Sequence, residues 1–150
     1  MQSQTAQAHH ITDIIKVMNG GIEFYQEAKH KLDNRSYSAL FDRMIHAKSE
    51  AIAELQPFAI QQKGEIELGS SNLVKARELY TKLMTNVTSE TKEFAYADQL
   101  EEVEDKVLEE LDLALERNQP QDCEVTLRRV KVRMQECHDE MKALQNVAQQ

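Results

Sequence analysis

Tryptophan is absent from this chain, and phenylalanine and tyrosine together make up only 5% of its residues. A core therefore has to be built from aliphatic side chains and methionine, which suits helices packed on helices better than an aromatic-rich sheet. Proline occurs twice and glycine four times in 150 residues, so long windows contain nothing that breaks a helix. The cysteines, Cys123 and Cys137, have no metal-type spacing. On one helix they stand about 21 Å apart at 1.5 Å per residue, too far to bridge within the chain. A reducing compartment is the simpler reading. No apolar run approaches the roughly 18 residues of a membrane span. The opening MQSQTAQAHHITD lacks the apolar stretch of a signal peptide. The expectation is a soluble, cytoplasmic protein with no membrane partner.

Positive charge is also short, with 18 Lys and Arg against 26 Asp and Glu and a formal charge of −8. Nucleic-acid binding needs clustered basic residues. The one local cluster, Arg128, Arg129, Lys131 and Arg133, reads as a solvated helix face. Nucleic acid is not an expected partner.

What remains is rich in Ala, Leu, Glu, Gln and Lys, an all-α composition for one domain. Residues 1–10, including His9 and His10, read as a flexible, solvated lead-in, and 11–150 as the domain. The first helix starts near Thr12 as N-cap and carries Ile14, Ile15, Met18, Ile22 and Tyr25 inward to about Leu32. It contains Gly20 and Gly21 mid-helix, each costing up to about 1 kcal/mol against Ala. That cost points to a close neighbour or a bend. After the polar turn 33–36, a second helix runs to about Gln62 with Leu40, Phe41, Met44, Ala51, Leu55 and Phe58 inward. The apolar pattern continues past Pro57, which predicts a kinked helix rather than an early end. Lys48 lies inside this stripe.

The loop 63–72 is followed by a short amphipathic helix over 73–86, capped by Ser71 or Asn72. A third long helix covers about 90–117. The turn 118–121 leads to a fourth, capped by Asp122 and packed through Leu127, Val130, Met134, Cys137, Met141 and Leu144. His138 sits at the edge of that stripe.

One stretch stands out. Wound at about 100° per residue, Ala97, Leu100, Val103, Val107, Leu108, Leu111, Ala114 and Leu115 form one apolar stripe. Glu101, Glu102, Asp105, Glu109 and Asp112 fall outside it, as a solvated face should. Glu104 falls inside it. A carboxylate does not enter a core without a partner.

The second helix is about 40 Å long at 1.5 Å per residue, and the link after it is long enough to travel back along it. That predicts two antiparallel hairpins joined by a crossover, so that the second and third helices start at one end. Lys48 and Glu104 then differ in height by only about 3 Å. Lys48 faces Gly20 across the first hairpin, and Glu104 faces Gln135 to His138 across the second.

The segments GGIEFYQEA (20–28), Ala39-Leu40-Phe41, Glu54-Leu55-Gln56, Glu104-Asp105 and His138-Asp139, in this order and spacing, resemble the ferritin-like superfamily. More narrowly they resemble small bacterial ferritin-like bundle proteins known only as a domain of unknown function. The resemblance implies a ferritin-like four-helix bundle with a crossover containing a short extra helix. It also implies two irons held by a Glu on each of two helices and Glu-x-x-His on the other two. This chain departs from that set. Met18 and Ile22 face inward on the first helix, Arg43-x-x-His46 and Gln135-x-x-His138 have lost their Glu, and His46 points away. Only Glu104 and His138 survive.

No catalytic set is complete, so the expected function is non-catalytic. The chain would act through association with a second copy or another protein, with no cofactor. Its core would hold a polar cluster of Lys48, Glu104 and His138. The alternative is a weak mononuclear site for iron or another divalent metal on Glu104 and His138. A working di-iron oxidoreductase is a distant third.

Overall fold

The computed structural model describes residues 7–71 and 89–148. Four helices account for nearly all of them: α1 (Ile11–Lys31), α2 (Arg35–Lys63), α3 (Ser89–Leu115) and α4 (Gln121–Ala148). The described residues contain no strand. None of their helices is long and apolar enough to cross a membrane. The expected helix over 73–86 lies outside the described residues.

Cross-helix contacts fix the directions. Gln62 meets Thr12 while Lys29 meets Asp42 at the other end, so α1 and α2 are antiparallel. Asp112–Lys131, Asp105–His138 and Asp98–Gln145 run α3 and α4 antiparallel in the same way. Arg43–Glu140, Glu50–Arg133 and Glu54–Arg129 set α2 antiparallel to α4. His10–Glu110 and the Phe24–Tyr96 rings do so for α1 and α3. The pairs in contact are α1–α2, α3–α4, α1–α3 and α2–α4. It follows that α2 and α3 are parallel and lie across the diagonal. The end of α2 stands by Thr12, and the start of α3 stands by the α1–α2 turn, where Asn34 reaches Glu93. The two hairpins are thus joined by a crossover the length of the bundle, as the long link predicts.

The first part of that link is held tightly. Gly64 ends α2 with a φ of 88°, a left-handed turn that glycine adopts without steric cost. Glu67 is then tucked against Lys63 Nζ at 2.8 Å and the Gly69 N–H at 2.7 Å, with Lys16 Nζ at 4.0 Å. The Lys63 hydrogen bond, working against burial and helped by the Gly69 N–H and Lys16, holds its carboxyl below the usual range. Asn19 and the Lys16 carbonyl pair with the backbone of Gly69 and Ser71, so 67–71 tracks along α1.

Several boundaries differ from expectation. α1 begins at Ile11, one residue before Thr12. Its first N–H groups are capped from α2: Gln62 Oε1 accepts from Ile11 N at 2.7 Å and Thr12 N at 3.2 Å. A cap supplied by a distant residue satisfies the same orphan donors as a local one. α4 begins at Gln121, so Asp122 lies in its first turn and accepts from Cys123 N. α2 continues through Pro57 to Lys63. At 7–10 the lead-in is packed: Ala8 is fully buried and Gln119 pairs with both backbone groups of His9. His9 and His10 are half-buried rather than solvated. The basic residues of α4 do lie on a solvated face, each paired with an acid: Arg128 with Glu124, Arg129 with Glu54, Lys131 with Asp112 and Arg133 with Glu50. Exposed pairs of this kind add little stability.

The close neighbour behind the glycine pair is α3. A Cβ on Gly21 would stand 2.9 Å from Val103 Cγ1 and 3.6 Å from Lys48 Cε. In an exposed helix Gly→Ala gains about 1 kcal/mol. Here the β-branched Val103 has little rotamer freedom with which to yield. Gly21→Ala is therefore expected to lower the chemical-denaturation midpoint, and Gly21→Ala with Val103→Ala to recover part of the loss.

Candidate functional site

Three helices converge on Glu104 at mid-bundle. Lys48 comes from α2 and Tyr25 from α1, and all three side chains are fully buried. Lys48 reaches across the diagonal because Gly21 has no side chain to block its stem. The glycine that matters is Gly21, one position on from the expected Gly20. Lys48 Nζ and the Tyr25 hydroxyl both donate to Glu104 Oε2. The ammonium also lies 5.2 Å from the Tyr25 ring centroid, within range of a cation–π contact. Glu104 Oε1 accepts no hydrogen bond from any described residue. Burial first, and then the Glu104 carboxylate beside it, hold the Tyr25 hydroxyl well above its ordinary pKa. It stays a neutral donor at any physiological pH.

Around this centre the core is sulfur-rich and apolar, with Met18, Met44, Met134 and Met141 buried. Cys137 of α4 is buried there too. Burial, opposed by Lys48 and reinforced by Glu104, pushes its thiol up to about 11. Burial and then Asp122 do the same for Cys123, also to about 11, and its Sγ donates to Gln119 Oε1 at 3.7 Å. Both cysteines are free and protonated at neutral pH, and so poor nucleophiles.

Of the expected polar cluster, the structure brings Lys48 and Glu104 together and leaves His138 out. Glu104 lies on the inner face of α3 and His138 on the outer edge of the α3–α4 seam. His138 Nε2 stands 2.7 Å from Asp105 Oδ1 and 3.5 Å from Glu101 Oε1, and Nδ1 is 3.4 Å from Asp139. Burial alone would lower its pKa, but Asp139, Asp105 and Glu101 outweigh that and raise it. The carboxylates that His138 meets are therefore Glu101, Asp105 and Asp139, whereas Glu104 is met by Lys48 and Tyr25. Glu101, expected on the solvated face, is buried under His138 and Lys142. Burial first, and then the like charge of Asp105, raise its pKa.

Tyr25 is the member that sequence reasoning missed, being counted as core. A signal was available. A buried tyrosine hydroxyl needs a partner, α1 carries no inward acid, and Glu104 is the one carboxylate in an apolar stripe. Glu101 and Asp105 were legible as an i, i+4 pair facing the level of His138.

A pair of this kind need not add net stability, since desolvating two charges costs about as much as their attraction returns. Breaking it is another matter: removing one partner of a buried pair typically costs about 3–5 kcal/mol. Lys48→Met and Glu104→Gln should each lose stability on that scale in denaturant unfolding, with the double variant losing well under their sum. Additive losses would mean that the two residues do not interact.

A family model described as "Domain of unknown function (DUF2383)" matches residues 6–117. The match takes in Tyr25, Lys48 and Glu104 and stops short of α4, so Cys137 and His138 lie beyond it. No curated protein and no solved structure matches the chain.

Proposed function

The chain belongs to the DUF2383 family of domains of unknown function, and from that premise we propose that it is a non-catalytic helical bundle acting through protein–protein association. The observation that carries this is the closure of its polar centre. Glu104, the one acid with no exposed surface among the described residues, is occupied by an ammonium and a hydroxyl from two other helices, and all three are sealed from solvent. No substrate can reach them. In this reading the centre specifies which helices meet, because Lys48 and Tyr25 reach Glu104 Oε2 through the pairing of α1, α2 and α3 seen here.

The ferritin-like framework belongs to the same proposal: crossover topology, two antiparallel hairpins and a polar group at mid-bundle. The iron chemistry of that superfamily does not fit the residues present. Met18 fills one ligand slot, Arg43 and Gln135 are exposed at two others, and Lys48 supplies the positive charge beside Glu104. No cofactor enters the proposed function. Two buried, free thiols suit a reducing compartment, so the cytoplasm is the proposed location.

Function then falls to the outer surface. On α4, Val125 and Val132 are 54% and 65% exposed, one heptad apart. Val132 lines a shallow groove of about 370 Å³ with Ala51, Glu54, Arg129, Arg133 and Glu136. Aliphatic residues framed by both signs of charge suit a self-complementary contact, so the proposed partner is a second copy. Light scattering of the untagged protein at micromolar concentration should give about twice the 17.3 kDa chain mass. A mass of 17.3 kDa throughout that range would contradict self-association.

A further inference from the structure

The α3–α4 seam carries a second cluster, apart from the buried centre and from the groove. Glu101 and Asp105 are one helical turn apart on α3, and His138 comes from α4 to meet them. One ligand atom from each of the three lies within 4.8 Å of the other two. The His138 Nε2 separations, 2.7 Å to Asp105 and 3.5 Å to Glu101, bracket the roughly 3.0–3.4 Å between neighbouring ligands around a metal with bonds of about 2.0–2.1 Å.

Glu101 supplies a separate argument. Its side chain is only 10% exposed, yet the nearest cationic atoms, His138 Nε2 at 3.5 Å and Lys142 Nζ at 3.9 Å, stand beyond charge-assisted hydrogen-bond range. A buried carboxylate has thus been drawn beside a second one, with Asp105 as its hydrogen-bond partner and no cation in short contact, an arrangement that favours a positive charge held between the two. Asp139 meanwhile stands at the other ring nitrogen of His138. With Asp139 at Nδ1, a metal arriving at Nε2 displaces the proton that this nitrogen shares with Asp105, and Asp139 then holds the ring as outer partners of metal-bound histidines do.

We propose that Glu101, Asp105 and His138 form a divalent transition-metal site on the α3–α4 seam, outside the core and without Glu104. One imidazole and two carboxylates suit a borderline first-row ion such as Zn²⁺ better than Mg²⁺ or Ca²⁺, which prefer all-oxygen shells. With three protein ligands, water completes the shell, so the ion would clamp α3 to α4 at a solvent-accessible edge. The site is independent of the association proposed above.

The rival on the same molecule is His10, Asp13 and Glu110, whose ligand atoms are equally close. There the buried carboxylate already has a short partner, Glu110 lying 3.1 Å from His10 Nε2, with Lys106 at 3.4 Å. The test is calorimetric titration of the untagged full chain with Zn²⁺, with Co²⁺ absorption as a second readout. One equivalent should bind at micromolar concentration. His138→Gln and Asp105→Asn should each weaken it at least tenfold, while His10→Gln leaves it unchanged. Asp105 is exposed, so its variant should keep the fold, which circular dichroism checks. Absence of binding up to millimolar Zn²⁺, or binding lost with His10→Gln and retained in His138→Gln, would overturn the proposal.

Discussion

A carboxylate inside an apolar core has to be met by a donor, and the bundle is arranged so that Glu104 is met by two. The requirement reaches far from the residue itself. Lys48 can serve only if α2 and α3 face each other across the diagonal with their middles at one height, as they do in this bundle. Its stem can pass only where α1 offers no side chain, which Gly21 provides. Tyr25 can serve only if the turn of α1 next to that glycine faces α3. Topology, a helix-destabilising glycine and a buried tyrosine thus answer one electrostatic demand.

Much of this was legible in the sequence because helical periodicity converts spacing into burial. Glu104 and Lys48 stood out as charges inside apolar stripes, and the link was long enough for α3 to begin at the end where α2 begins. Tyr25 did not stand out, because a tyrosine in a stripe looks like core until its hydroxyl is asked for a partner. Glu101 was misjudged for a related reason. Angular position on one helix says which way a residue points, but the long side chains of His138 and Lys142 on α4 extend the cover beyond the apolar stripe. The start of α1 was shifted because its cap comes from Gln62, some fifty residues away, and local sequence carries no sign of it.

The core and the seam divide polar work between them. In the core, a carboxylate is met by an ammonium and a hydroxyl and closed to solvent, and its proposed role is to exclude other arrangements of the helices. At the seam, two carboxylates and an imidazole lie at the edge, the place proposed for an exchangeable ion. His138 belongs to the second group, which separates the residues that specify the fold from those that could respond to the solution.

The proposed role of the Tyr25–Lys48–Glu104 centre is to specify helix pairing rather than to supply net stability. It is tested most directly by removing all three polar groups at once, as Tyr25→Phe, Lys48→Met, Glu104→Leu. Denaturant unfolding and amide NMR would be measured on the same sample. A midpoint at or above the parent's, with amide signals broadened or multiplied, is the predicted result. A variant with one sharp, parent-like set of signals would show that apolar packing alone chooses the pairing, and would contradict the account.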